Sequence, residues 1–385
     1  MQNFTYSIPT RIYFGKGQIE QLKNIRELGE KVLMVYGGGS IKRNGIYEDI
    51  VRIFRENDID FTELPGVDPN PRIETVEEGI KLVKENHIDV VLAVGGGSTI
   101  DCSKMIAAGA EYDGPAWDLV LDGSKIKKAL PVAAVLTLAA TGSEMDGFAV
   151  ISDMKKNDKL GTGSELIKPV FSIMDPTYTF SVSKKQTAAG TADMMSHVFE
   201  VYFTPEKDGF IQARMCEAVL QTCIKYGPVA YREPENYEAR ANLMWASSLA
   251  INGLLSYGSD VPWSVHNMEH ELSAYYDITH GEGLAILTPN WMEYVLSEET
   301  MYKFVELGKN VWHLDSDQSD AEIAEEAIQK TREFFNGLDL PATLSDVNIG
   351  EEHLKEMADK LDGKYKNTFV PLTGRDILEI YRKSL

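Results

Sequence analysis

Two mostly apolar runs that end in the same glycine-rich turn constrain the fold more than any other feature of this sequence. KVLMVY (31–36) leads into GGGS (37–40), and IDVVLAV (88–94) leads into a second GGGS (95–98). Further strand-like runs lie at 60–64, 131–138 and 169–174, and helix-like stretches lie at 48–56 and 74–86. Apolar strands that alternate with helices are typical of a parallel sheet covered on both faces. We therefore predict an α/β domain with a Rossmann-like parallel sheet.

The second half of the chain has a different character, because helical patterns dominate and no convincing strand occurs. SKKQ (183–186) matches a capping box, with Ser183 before the helix and Gln186 three residues later. Helical patterns follow at 184–203, 208–226, 235–256, 262–276, 283–296, 318–336, 350–361 and 374–383. We predict the α/β domain over 1–180 and an all-α domain over 181–385, with a cleft between them.

The net charge of −21 limits the classes of partner. Such an acidic protein repels phosphate backbones, so we expect no nucleic-acid binding. The three cysteines are odd in number and form no CxxC pair, which is typical of free thiols in a reducing compartment. The longest uncharged stretch, 129–143, is interrupted by Pro131 and is shorter than the roughly 20 residues of a membrane helix. We expect a cytoplasmic protein that does not bind membranes.

Several polar side chains have the spacing of metal ligands. Asp193 and His197 lie four residues apart, so a helix would place both on one face. His266 and His270 repeat this step, and His280 follows at what looks like a turn before a glycine. One carboxylate and three imidazoles favour a divalent metal such as Fe, Zn or Co. A purely structural pair is the alternative for Asp193 and His197, since such pairs are common on helices.

The second glycine turn predicts a phosphate-binding position. In GGGSTID (95–101) the glycines allow a tight turn, and a following helix capped by Ser98 would offer free N–H groups. Asp101 would repel a phosphate, so it must point aside toward a sugar hydroxyl or a backbone amide. The spacing is not GxGxxG, and a plain strand-to-helix turn is the alternative. The hydroxyl groups of TLAATGSE (137–144) either contact a cofactor or satisfy their own loop.

The first glycine turn bears on the type of nucleotide. In NAD sites an acid at this point commonly holds the adenosine ribose. Here Gly38 and Ser40 are followed by Lys42 and Arg43, with no carboxylate nearby in the sequence. Small residues and cations would accept a 2′-phosphate, which favours NADP(H) and leaves NAD(H) open. The alternative is that both cations are simply solvated.

Together with these two loops, AGTADMMSH (189–197) and HNMEHELSAYYDITHG (266–281) resemble the iron-containing (group III) alcohol dehydrogenase family. The resemblance covers nearly the whole chain and is strongest to bacterial NAD(P)H-dependent butanol dehydrogenases. It implies the dehydroquinate synthase-like fold, with a nucleotide-binding α/β domain and a helical metal-binding domain. It also implies an oxidoreductase, usually a homodimer, that transfers hydride between NAD(P)H and short-chain aldehydes such as butanal, giving the primary alcohol.

The resemblance also implies roles for individual residues. The implied ligands of one divalent metal, Fe²⁺ or Zn²⁺, are Asp193, His197, His266 and His280. The implied cofactor-binding residues are Gly38, Ser40, Asn70, Gly96, Gly97, Ser98, Asp101, Thr137, Thr141, Lys159 and Tyr178. His270, one helical turn from His266, would be the catalytic proton relay or a nicotinamide contact, with a structural role beside the ligands as the alternative.

The sequence is also compatible with three rival functions. Glycerol dehydrogenase-like and dehydroquinate synthase-like enzymes share the two-domain plan. A dehydroquinate synthase processes an anionic sugar acid and needs converging Lys and Arg residues, but neither 189–203 nor 257–282 contains one. This composition favours a neutral alcohol or aldehyde. A non-catalytic nucleotide sensor is the third rival, and for it the metal ligands would be superfluous.

Overall fold

A computed structural model describes residues 2–205, 209–315 and 317–385 of the chain. The chain forms two compact units. The α/β unit comprises Ser7–Val182 and Pro234–Ser248, and the helical unit comprises Met1–Tyr6, Ser183–Glu233 and Leu249–Leu385. Pro234–Ser248 groups with the α/β unit although helical sequence surrounds it, because side chains such as Met244 pack into a cluster with Ala93 and Leu136 of the sheet.

A six-stranded parallel sheet forms the α/β unit. Its strands are β1 (Arg11–Phe14), β2 (Lys31–Tyr36), β3 (Asp60–Leu64), β4 (Val90–Gly95), β5 (Val132–Leu136) and β8 (Phe171–Met174). They lie in the order β1-β8-β5-β4-β2-β3. An antiparallel pair comprises β6 (Phe148–Asp153) and β7 (Asp158–Gly163). The prediction of a parallel sheet is confirmed, and each of the five strand-like runs forms one of its strands.

Three strands were not predicted, for physical reasons that the structure makes clear. β1 has only four residues at the edge of the sheet, and its side chains are exposed or half-buried, so it lacks an apolar run. β6 and β7 form a separate two-stranded sheet, and the sequence of β7, DKLGTG, contains two glycines. Glycine weakens a strand pattern because it contributes no side chain to packing.

Helices cover both faces of the parallel sheet. They are α1 (Ser40–Arg43), α2 (Ile46–Glu56), α3 (Ile73–Asn86), α4 (Gly97–Ala110) and α5 (Trp117–Leu121). In β2, Leu33 and Val35 pack into one core cluster, which includes residues of α3 and α4. The alternate residues Val32 and Met34 pack into a second cluster, which includes residues of α2. Burial on both faces explains why the strand sequences are continuously apolar.

The direction in which the chain crosses the sheet reverses between β2 and β4. From β2 the chain moves outward to β3, and it then returns to β4 and continues through β5 to β8. Open parallel sheets bind ligands outside the carboxyl ends of the strands at such a reversal. The glycine turns 37–40 and 95–98 follow β2 and β4, so they lie on either side of this point.

The helical unit contains most of the predicted helices, with corrected bounds. They are α6 (Lys184–Tyr202), α7 (Phe210–Arg232), α9 (Ser264–Tyr276), α10 (His280–Val295), α11 (Met301–Asn310), α12 (Asp320–Asn336), α13 (Leu354–Leu361) and α14 (Gly374–Lys383); α8 (Tyr237–Ile251) spans the boundary between the units. The Ser183 hydroxyl accepts from the N–H of Gln186, which confirms Ser183 as the N-cap of α6. α11 was not predicted. In the described part of the chain, no helix is long and apolar enough to cross a membrane.

A fully buried lysine ties α4 to the loop that follows β5. The Lys104 ammonium donates to the Asp146 carboxylate at 2.7 Å, to the Ser143 hydroxyl at 2.8 Å and to the carbonyl of Phe148 at 2.7 Å. Burial raises the pKa of Asp146, and the facing Lys104 opposes this rise. Removing the lysine would leave a buried carboxylate without its counter-ion, which is far more costly than losing an exposed ion pair.

We predict that Lys104→Met lowers the free energy of unfolding by about 3–5 kcal/mol, measured by urea denaturation. The matched control is Lys155→Met, because Lys155 forms an exposed ion pair with Glu74 at 2.7 Å in the same unit. The control should change stability by less than about 1 kcal/mol. Equal effects of the two substitutions would contradict the structural role assigned to Lys104.

Candidate metal centre and nucleotide site

Three histidine nitrogens surround one carboxylate oxygen in the helical unit. The Oδ1 atom of Asp193 lies 3.6 Å from Nδ1 of His197, 3.8 Å from Nε2 of His266 and 3.6 Å from Nε2 of His280. The rings of His197 and His266 are stacked, with centroids 4.5 Å apart. α6, α9 and α10 supply these four side chains, and the structure thus brings together residues that lie up to 87 positions apart.

The distances in this cluster fit a shared cation better than direct hydrogen bonds. All three are 3.6 Å or longer, which is beyond hydrogen-bond range. Oδ1 of Asp193, Nδ1 of His197 and Nε2 of His266 are buried without a hydrogen-bond partner among the described residues. Two ligand atoms that each lie about 2.1 Å from a tetrahedral metal are roughly 3.4 Å apart. The ligand atoms of Asp193, His266 and His280 all lie within 4.8 Å of one another and suit one divalent ion, and Nδ1 of His197 approaches the same oxygen of Asp193.

The electrostatics of the cluster depend on burial and on the mutual proximity of its groups. Burial raises the pKa of Asp193, but the three facing histidines outweigh it and lower this pKa to about 2. Burial lowers the pKa of His197 to about 4. Burial also lowers the pKa of His266, but the carboxylates of Asp193 and Glu200 outweigh it and raise this pKa to about 9.

A close approach between two helices brings His280 to Asp193. His280 is the first residue of α10, which corrects the prediction of a turn there. The next residue, Gly281, packs so tightly on α6 that a Cβ atom would lie 2.0 Å from the carbonyl oxygen of Ala189. The helix begins three residues earlier than predicted, because Gly281 and Gly283 made its first turn look like a loop. The tight packing requires glycine at 281.

Two buried acids beside the histidines were not predicted. Glu200 lies 3.4 Å from Nδ1 of His266, and Glu269 accepts from Nδ1 of His280. The sequence does contain a signal for Glu200, since Asp193 is the only other charged residue of 189–203, whereas Glu269 stands among other acids and is not singled out. A carboxylate in such surroundings is rarely buried without a partner. His270 is half-buried, and its ring centroid lies 5.5 Å from that of His280.

In the α/β unit, the glycine turns form the ends of two neighbouring strands. α4 begins at Gly97 with Gly96 in the capping position, so the prediction that Ser98 caps this helix is wrong. A Cβ atom on Gly97 would lie 2.3 Å from the Thr141 hydroxyl oxygen. The loop after β5 therefore packs directly on the start of α4. This contact brings Thr141 beside the second glycine turn, at the carboxyl edge of the sheet.

Asp101 points away from the glycine turn, as the repulsion argument required. Its carboxylate accepts from the Ser143 hydroxyl at 2.6 Å and from the N–H of Val150 at 2.9 Å. Burial raises the pKa of Asp101 to about 6, and the nearby Lys104 opposes this rise. Asp101 thus holds the loop after β5 in place through protein hydrogen bonds.

The surroundings of Lys42 correct one step of the sequence argument. Its ammonium lies 3.2 Å from a carboxylate oxygen of Glu63 on β3, although no acid is close in the sequence. Glu63 also accepts from the hydroxyl groups of Tyr36 and Tyr47. Lys42 is therefore paired with an acid, which leaves only Arg43 of the two cations in the argument for a 2′-phosphate.

The remaining predicted cofactor residues all belong to the α/β unit. Gly38 and Ser40 follow β2, Asn70 lies in the loop after β3, and Thr137 follows β5. Tyr178 lies in a short 3₁₀ turn after β8, and Lys159 is buried on β7. The five residues other than Lys159 lie in segments that follow the carboxyl ends of strands, where parallel sheets bind ligands.

Two protein-family models match nearly the whole chain. Residues 9–176 match the model of iron-containing alcohol dehydrogenase, and residues 187–385 match the C-terminal model of the same family. The chain belongs to the iron-containing alcohol dehydrogenase family. It is therefore an oxidoreductase with alcohol dehydrogenase and aldehyde reductase activity that acts on small molecules and uses a nicotinamide cofactor and a metal.

Individual members of the family are similar over all or nearly all of their length. NADH-dependent butanol dehydrogenase B of Clostridium acetobutylicum is 60% identical, with 100% of both chains covered. The NADPH-dependent aldehyde reductase YqhD of Escherichia coli is 40% identical over 94% of this chain and 93% of its own. A crystal structure of NADH-dependent butanol dehydrogenase A from Thermotoga maritima superposes with a TM-score of 0.93 at 36% identity, covering 100% of this chain and 99% of that one.

We predict that Gly281→Ala lowers the free energy of unfolding by about 1–3 kcal/mol, because the new methyl group must push α10 away from α6. The effect is measured by urea denaturation. Gly350→Ala is the control, since a Cβ atom there would meet no atom within 4 Å and Gly350 has no positive φ. A Gly281 variant as stable as this control would show that the close approach is not required.

Proposed function

We propose that this enzyme reduces short-chain aldehydes such as butanal to primary alcohols, with NADH as the hydride donor and one divalent metal, Fe²⁺ or Zn²⁺. The main support for this proposal is the buried Oδ1 atom of Asp193. Three histidine nitrogens face this atom at 3.6–3.8 Å without hydrogen bonding to it. Asp193, His197, His266 and His280 are the proposed ligands. A divalent cation in this position acts as a Lewis acid that polarises a carbonyl oxygen.

The α/β unit is proposed to hold the cofactor at the carboxyl edge of its sheet. The proposed contacts are Gly38, Ser40, Asn70, Gly96, Gly97, Ser98, Thr137, Thr141, Lys159 and Tyr178. Asp101 is proposed to act indirectly, by holding the loop that carries Thr141. The cofactor supplies the hydride, and the protein supplies its position. The free N–H groups at the start of α4 suit a phosphate group.

His270 is proposed to move the proton that the product requires. Reduction of an aldehyde adds a hydride to carbon and a proton to oxygen. His270 lies one helical turn from His266 on α9, and its ring lies beside that of His280. A ring nitrogen of His270 could therefore donate to the product oxygen and be reprotonated from solvent.

The substrate is proposed to be neutral and aliphatic. The ligand-bearing segments 189–203 and 257–282 contain no Lys or Arg to bind an anionic sugar acid. The ring of Trp263 lies 5.3 Å from that of His266 and 6.0 Å from that of His197, which supplies apolar surface beside the ligands. Butanol dehydrogenases, named for a four-carbon alcohol, are among the relatives at 58–60% identity.

NADH rather than NADPH is the proposed coenzyme. Lys42 is already neutralised by Glu63, and the added carboxylate would repel a 2′-phosphate. The two relatives at 58% and 60% identity are named as NADH-dependent, whereas the relative at 40% identity is named as NADPH-dependent.

We also infer a homodimer in the cytoplasm. The family resemblance supports the dimer, and light scattering measures the assembly directly. The three cysteines, all buried as free thiols, support a reducing compartment.

We predict that the metal-free enzyme does not oxidise NADH in the presence of butanal and that Fe²⁺ or Zn²⁺ restores this activity. His280→Ala should lose both bound metal and turnover, because one ligand of the cation is missing. Absorbance at the NADH band measures the rate, and elemental analysis measures the metal. His353→Ala is the control, since His353 is exposed in the same unit and pairs with Glu356. Full activity without metal, or no turnover with any short aldehyde, would refute the proposal.

We predict that the unaltered enzyme has a higher kcat/KM for NADH than for NADPH. Glu63→Gln should shift this ratio toward NADPH by roughly tenfold, equivalent to about 1.4 kcal/mol, because the repelling carboxylate is removed. Glu30→Gln provides the control, since Glu30 stands at the opposite end of β2 and is exposed. An unchanged ratio in Glu63→Gln would show that Glu63 does not select the coenzyme.

A further inference from the structure

The start of α9 is held by a carboxylate from α6. Glu200, which is 3% exposed, accepts from the N–H groups of Ser264 at 2.9 Å, Val265 at 2.7 Å and His266 at 3.0 Å. The same oxygen that accepts from His266 N–H lies 3.4 Å from Nδ1 of that histidine. The helix that provides two proposed ligands, Asp193 and His197, therefore also fixes the backbone and the ring of a third.

An equivalent arrangement holds His280. Glu269 on α9 is fully buried and accepts from Nδ1 of His280 and from the Ser273 hydroxyl. Glu200 thus links α6 to α9, and Glu269 links α9 to α10. Each of the two carboxylates contacts a histidine that faces Asp193.

These contacts determine which nitrogen of each ring can bind a cation. A neutral imidazole has one N–H donor and one lone pair. When Nδ1–H donates to a carboxylate, the lone pair lies on Nε2, and Nε2 is the atom of His266 and of His280 that faces Asp193. The carboxylate of Glu200 or Glu269 therefore keeps the proton on Nδ1 and leaves Nε2 as the atom that can coordinate an ion.

We propose that Glu200 and Glu269 are positioning residues of the metal centre, which fix the tautomer and the ring orientation of His266 and His280. This inference rests on the ligand set of the proposed function. It adds two residues that bind neither metal nor substrate but determine how tightly the histidines hold the ion.

The test measures metal affinity rather than turnover. The metal-free full-length protein is titrated with Co²⁺, whose visible absorption reports its ligand geometry, and the affinity for Zn²⁺ is measured by competition with a chelator. We expect Glu269→Ala to weaken Zn²⁺ binding by about 10–100-fold and to alter the Co²⁺ spectrum. Glu269→Gln should have a smaller effect, because its amide oxygen can still accept from Nδ1–H.

Glu200→Gln should also weaken Zn²⁺ binding, because its amide group cannot match the four donors that face the carboxylate. Glu217→Gln is the matched control, since Glu217 is also buried in the helical unit and accepts from the Tyr202 hydroxyl, and among the described residues it hydrogen-bonds to no histidine. It should leave the affinity unchanged, even if it lowers stability.

The outcomes separate this inference from the proposed function. If the unaltered protein binds no metal ion, the proposed ligand set itself fails. If it binds one ion and both Glu269 variants bind as tightly with the same spectrum, only the positioning role is overturned. Binding of two ions per chain would also overturn it, because Glu269 would then be a metal ligand. The ligand atoms of Glu269, His270 and His280 lie close enough to form such a second site.

Discussion

The helical unit depends on one buried oxygen atom, Oδ1 of Asp193, and on the groups that surround it. A buried carboxylate is costly unless charge and hydrogen bonds compensate it. Here the compensation comes from three rings on three helices, and no direct hydrogen bond to that oxygen is formed among the described residues. The need to bring these rings to the buried carboxylate explains Gly281 at the start of α10, and Glu200 and Glu269 beside the rings. The packing of three helices and the chemistry of the site thus have the same physical origin.

The α/β unit meets a different constraint, which is the close packing of the loop after β5 on the start of α4 at the carboxyl edge of the sheet. Gly96 and Gly97 allow the chain to turn there without side chains, and Thr141 packs on Gly97. Lys104 and Asp101, both on α4, stabilise this loop through buried polar contacts with Asp146 and Ser143. Small groups therefore lie at this edge, and the charged groups that support the loop are buried within the protein.

Sequence reasoning was most successful where packing acts on both faces of an element or where side chains repeat along one helix. The runs 31–36 and 88–94 had to be buried strands, and Asp193 and His197 had to share a helix face. It failed where an element is short or glycine-rich, as in β1 and β7, and where a cap is a glycine rather than Ser98. It also failed for Glu63, because Glu63 lies on β3 and Lys42 lies in α1, 21 residues earlier in the chain.

The sequence by itself determined the class of fold, the family and the two bound groups, a nicotinamide cofactor and a metal. It could do so because apolar periodicity and residue spacing are local properties and because the family motifs are continuous segments. The tertiary structure decided which atoms meet. Only the packing of α9 and α10 on α6 places Nε2 of His266 and of His280 toward Asp193, with Glu200 and Glu269 behind them. Only the pairing of β2 with β3 sets Glu63 beside Lys42. These contacts join residues from separate elements, so helix and strand periodicity carries no information about them.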